Sequence, residues 1–170
     1  PGVMSSCFIS SVTCKGYCSF VRPPLSCRVY RITDSFALAH PLLRQISLAA
    51  TERGYNITVC RDCLSPESYR HVYIPELSLA FITSSPYDHY DGEYYRHIRL
   101  DNMVQQHDDI SPRDSLRSMR ALMLQAIHRL SQAKELHDKL EAVYNPYVDF
   151  DEVYSMADDF ILSHITPIEE

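Results

Sequence analysis

The sequence predicts an α/β fold, a three-layer core built on a parallel sheet with long helices at its C-terminal end. Three observations carry this. Apolar β-branched runs alternate with segments of helical spacing in the first half of the chain. The run Leu79–Ser84, "LAFITS", is apolar almost throughout, as a strand buried on both faces would be. The second half holds a 3–4 apolar spacing from Leu116 to Val143.

In chain order, Cys7 to Thr13, "CFISSVT", reads as a first strand, and the segment up to Cys27, with Pro23-Pro24, reads as a connector. Residues 28–33 read as a strand and 39–53 as a helix. In that helix Leu42, Leu43, Ile46, Ala49 and Ala50 share a face, and Gly54 stops it. Asn56 to Arg61 is a further strand, Pro66 to Tyr69 a turn or short helix, and Leu79–Ser84 the buried strand. The tyrosine-rich segment 85–109 reads as an excursion with a short strand at 97–100.

Ser111-Pro112-Arg113-Asp114 starts a helix of about 50 Å, which Asn145-Pro146 ends. A last helix begins near Asp149 and presents Val153, Met156, Ala157, Phe160 and Ile161 on one side. Two parts are expected: a core over 1–110 and a C-terminal helical hairpin over 111–170.

The bulk composition narrows the function. The chain has 170 residues, 45% hydrophobic and 22% charged, enough for an ordinary core. A net charge of −6 without a basic run argues against nucleic acid. No apolar run reaches the ~18 residues that cross a bilayer, so no membrane is expected. The opening "PGVMSSCFISS" lacks the basic and apolar regions of a signal peptide, and a cytoplasmic location with reduced thiols is expected for the six cysteines. Four glycines in the whole chain leave little material for a glycine-rich loop.

Several motifs together resemble one repeat, the second, of a poorly characterised bacterial two-repeat family of P-loop ATPase-like proteins. These are Val12-Thr13-Cys14-Lys15-Gly16-Tyr17, Glu52-Arg53-Gly54-Tyr55, Cys63-Leu64-Ser65-Pro66-Glu67, Ile74-Pro75-Glu76-Leu77, and the tail elements Ala133 to Glu141 and Tyr144 to Phe150. The resemblance implies a P-loop NTPase-like core in which the phosphate loop falls on Thr33, Asp34, Ser35, Phe36, Ala37, Leu38, Ala39 and His40. The family's lysine then falls at Ala39, its magnesium-binding hydroxyl at His40, and its acidic strand end at Thr83 and Ser84. Residues 31 to 44 contain neither glycine nor lysine. A phosphate nest needs close backbone approach, and phosphoryl transfer needs charge at the phosphates. No catalytic residue is therefore assigned. The implied role is a pseudo-NTPase domain without cofactor, partnered by an active P-loop repeat or by a second copy. ATP with Mg²⁺ on a non-standard loop, and a ligand-free interaction module, remain as alternatives. Phe36 and Leu38 are expected to fill the volume that phosphates would occupy.

Other constellations have plainer readings. Cys14, Cys18, Cys60 and Cys63 have the thiolate count of a zinc site, but one pair lacks the usual two-residue gap. Unpaired thiols are preferred and no metal is assigned. His89 with Asp88, Asp91 and Glu93 reads as a solvated loop before a metal site. Tyr87, Tyr90, Tyr94 and Tyr95 read equally as a contact surface and as cover for a sheet edge.

Overall fold

The computed structural model describes residues 1–103 and 112–165. The capping Ser111 proposed from sequence lies outside them. Six strands form one sheet: β1 (Met4–Cys7), β4 (Arg28–Thr33), β5 (Ile57–Arg61), β6 (Tyr69–Ile74), β7 (Leu79–Ser84) and β8 (Arg96–Arg99). Their spatial order is β1-β5-β6-β7-β4-β8. A separate two-stranded hairpin joins β2 (Ser10–Thr13) to β3 (Gly16–Ser19). Helix α1 spans Ala39–Glu52, α2 Pro112–Tyr144 and α3 Phe150–His164.

The sheet is mixed, which corrects the expectation of a wholly parallel one. β1 with β5, β7 with β4 and β4 with β8 are parallel, whereas β6 runs antiparallel to both its neighbours. Strand β6 escaped the sequence reading because Arg70 and His71 interrupt its apolar character, although both are buried. The turn expected at 66–69 is present, with Ser68 N–H donating to Ser65 O, and it sends the chain back along β5. The expected first strand, 7–13, is also divided. β1 ends at Cys7, and residues 10–13 turn to β3 across Cys14-Lys15, where Thr13 Oγ1 accepts from Lys15 N–H and donates to Gly16 O.

Alternation along the strands sorts the core. Ile32, Ile57, Val59, Val72 and Ile74 face α1, whose Ala39, Leu43 and Ala50 are buried against them. Helix α1 ends where Gly54 adopts φ 88°, the left-handed conformation that glycine takes without steric cost. On the opposite face Val29, Ala80 and Ile82 pack with Val21, Cys27, Tyr73 and Tyr90. Connector residues thus cover that second cluster where a third, helical layer was expected.

The chain forms two compact units, Pro1–Ser131 and Gln132–Glu170. The boundary falls inside α2. In the second unit α3 is capped by Asp149, which accepts from Glu152 N–H, and no residue of α3 is buried. The Asn145-Pro146 break is one 3-10 turn over Asn145–Tyr147, after which α3 restarts from its own cap. Among the described residues no helix is long and apolar enough to cross a membrane.

Candidate functional site

The C-terminal ends of β4 and β7 and the start of α1 converge on one cavity of about 290 Å³. Asp34, Phe36, His40, Asp62, Arg70 and Thr83 are among its walls. In open α/β sheets this is where ligands are usually received. The positions expected to form a degenerate phosphate loop lie here, and so does Thr83 from the expected acidic strand.

The loop folds around a carboxylate of its own chain. Asp34 leaves β4 buried, and its N–H donates to Ser84 O at 3.0 Å. Its carboxylate turns back towards the helix. Oδ1 accepts from Phe36 N–H at 3.1 Å and Leu38 N–H at 2.9 Å, and Oδ2 accepts from Ala39 N–H at 2.7 Å. Ala37 takes φ 58°, which aims these donors inward. The first turn of a helix has unsatisfied N–H groups and the positive end of its dipole, so a carboxylate is a natural occupant. The loop is also tied from outside, since Ser35 donates through N–H and Oγ to the two carboxylate oxygens of Asp101 at 2.7 and 2.8 Å.

This geometry corrects one expectation. Leu38 is 41% exposed, and of the two only Phe36 lines the cavity. The carboxylate of Asp34, not two apolar side chains, fills the turn. Ala39 is buried, and His40 Nδ1 accepts from Tyr69 N–H at 2.9 Å.

Behind the loop lies a buried polar cluster that the sequence reading missed. Arg70 Nε donates to Asp88 Oδ2 at 2.9 Å, Nη1 to Asp62 Oδ2 at 3.2 Å and to the Tyr87 hydroxyl at 3.1 Å, and Nη2 to Ser85 Oγ at 2.8 Å. The guanidinium also lies 4.9 Å from the Tyr87 ring centroid. Tyr17 from the hairpin donates to Asp88 Oδ2, and burial pushes both tyrosine phenols up, so they remain protonated donors. Next to Arg70 along β6, His71 accepts from Thr83 N–H through Nδ1, and burial, with the Arg70 charge adding to it, pulls it down to about 3. From sequence, Tyr87 and Asp88 stand out only as parts of a loop and Tyr17 only within a motif. The signal for Arg70 would have been a long cation inside an otherwise apolar stretch.

The other candidates separate. Thr83 and Ser84 are buried; Ser84 Oγ contacts His89 Nδ1 and accepts from Tyr90 N–H, whereas Thr83 Oγ1 has no partner among the described residues. Of the four tyrosines, Tyr87 and Tyr90 are half-buried. Tyr94 and Tyr95 are exposed, with Arg31 4.2 Å from the Tyr94 ring centroid and Arg28 5.9 Å from that of Tyr95. The cysteines considered for zinc do not converge as a set, because the Cys60 sulfur faces Cys7. Among the described residues no group of three or more metal-ligating side chains is placed to hold an ion.

Compared with known proteins, the chain matches no family model, no curated protein and no solved structure.

Proposed function

We propose that the chain is a noncatalytic pseudo-NTPase domain, a structural or regulatory partner of an active P-loop repeat or of a second copy of itself. The supporting observation is Asp34. A nucleotide phosphate would enter the turn at the start of α1 against a buried carboxylate that already takes three of its N–H donors. Like charges a few ångströms apart in a buried site repel strongly. Neither a lysine at Ala39 nor a carboxylate at Thr83 offsets that repulsion or organises Mg²⁺. Calorimetry with ATP and Mg²⁺ at millimolar nucleotide is expected to give no saturable heat. A micromolar dissociation constant would overturn this reading in favour of an ATP-binding domain with a non-standard loop.

The role as a partner rests on the second unit. Leu136, Leu140, Val143, Val153, Met156 and Phe160 are each more than half exposed, a density of apolar surface that soluble monomers avoid. Helix α3 carries Asp151, Glu152, Asp158 and Asp159 without a lysine or arginine, while residues 112–131 of α2 carry Arg113, Arg117, Arg120 and Arg129 against Asp114 alone. This contrast favours docking of one copy's α3 on another's α2. Sedimentation at tens of micromolar is expected to show a species heavier than 19.6 kDa that dissociates in high salt. A single species at the monomer mass would remove self-association and leave a different protein as the partner.

A further inference from the structure

The sheet face turned away from α1 brings two thiols together on neighbouring strands. Cys7 closes β1, and Cys60 lies opposite it in the parallel register of β5. Their sulfurs are 3.6 Å apart, although 53 residues separate them in the chain. Adjacent strands run about 5 Å apart, inside the Cα span that a disulfide tolerates, and a disulfide bond is about 2.05 Å long. Side-chain rotation can therefore close the remaining gap without moving the strands. Cys60 is buried, and Cys7 is only half-buried, so Cys7 is the thiol a dissolved reagent meets first. Strand β1 is a four-residue edge strand. Besides its ladder with β5, it is tethered by Gly2 N–H to Thr51 O and Val3 N–H to Asn56 Oδ1.

We propose that Cys7 and Cys60 form a reversible disulfide site, which ties β1 to the body of the sheet when the chain meets a small-molecule disulfide such as oxidised glutathione. The Cys7 thiolate attacks one glutathione sulfur, the glutathione S–S bond breaks, and one glutathione leaves and takes up a proton. The Cys60 sulfur, its proton passing to water, then attacks the Cys7 sulfur of the mixed disulfide. The Cys7–Cys60 bond forms and the second glutathione leaves. Two protein thiols are oxidised and one disulfide is reduced to two thiols. Burial pushes the Cys60 thiol up to about 12, which makes the second exchange the slower one. The bond closes a loop containing the hairpin, β4 and α1, and so restricts the unfolded chain.

The test equilibrates the whole chain with mixtures of reduced and oxidised glutathione, blocks free thiols, and maps the peptides by mass spectrometry. At oxidising ratios most of Cys7 is expected in a peptide linked to Cys60, and this link disappears on adding dithiothreitol. The oxidised chain should melt at a higher temperature, and Cys7→Ser, at a half-exposed position that should fold normally, should lose both effects. Cys7 left as a free thiol, held as a stable glutathione adduct, or linked to any other cysteine overturns the site. An unchanged melting temperature in a chain that does carry the link overturns its role as a tie.

Discussion

Replacing Asp34 by alanine should cost the first unit about 3 kcal/mol. A hydrogen bond to a charged group contributes about 1.5–3 kcal/mol net, and bonds sharing one carboxylate are not additive. Asp34 is 5% exposed and accepts from Phe36, Leu38 and Ala39, so truncation leaves three inward-facing N–H groups without their acceptor. In a chain of this size the loss corresponds to a fall in Tm of roughly 6–12 °C, read by calorimetry or by urea denaturation. The variant offers a second reading. If the turn is an anion nest that Asp34 plugs from within, inorganic phosphate at tens of millimolar should raise the Tm of the variant and leave the wild type unmoved. A D34A chain as stable as wild type would show that the carboxylate does not hold the turn. A destabilised variant indifferent to phosphate would show that the turn collapses without it.

The Arg70 cluster should respond as strongly. Arg70→Met keeps much of the side-chain length but leaves Asp62 and Asp88, both buried, facing each other without a cation. Removing one partner of a buried ion pair typically costs about 3–5 kcal/mol, because the remaining charge is uncompensated. Converting Asp62 and Asp88 to asparagine in the R70M chain should recover part of the loss, since the unpaired charge is then gone. Comparing this triple variant with its component single and double variants isolates the coupling. A loss below about 1 kcal/mol for R70M, within the range of an exposed pair, would mean that the cluster does not tie β6 to the loop carrying Ser85, Tyr87 and Asp88.

Much of the architecture is legible one segment at a time. Arg28–Thr33 and Ala39–Glu52 follow from their own periodicity and from Gly54. Leu79–Ser84 follows from its unbroken apolar run, and α2 and α3 from their spacing and from the breaks at Asn145-Pro146 and Asp149. These signals are local, because a helix or strand writes its period into adjacent residues. The absence of glycine and lysine between residues 31 and 44 is likewise read from the sequence alone, whereas the loop positions Thr33 to His40 came from the resemblance.

Tertiary structure decided the rest, and in each case a partner distant in the chain made the difference. β6 is a strand because β5 and β7 flank it and because Asp62 and Asp88 accept the charge that made Arg70 look out of place. Phe36 and Leu38 were expected to fill the loop, yet the side chain that does so is Asp34. Whether an aspartate there faces water or folds back to cap its own turn depends on backbone angles such as that of Ala37, which composition does not encode. The pairing of Cys7 with Cys60 depends on β1 joining the sheet edge beside β5, a register that neither segment specifies alone. By itself the sequence determined the type and order of most elements and the absence of glycine and lysine from residues 31 to 44. Which buried charges meet, and what occupies the turn at the start of α1, required the three-dimensional pairing. A charge or thiol buried against a remote partner is stabilised by that partner and not by its neighbours in the chain.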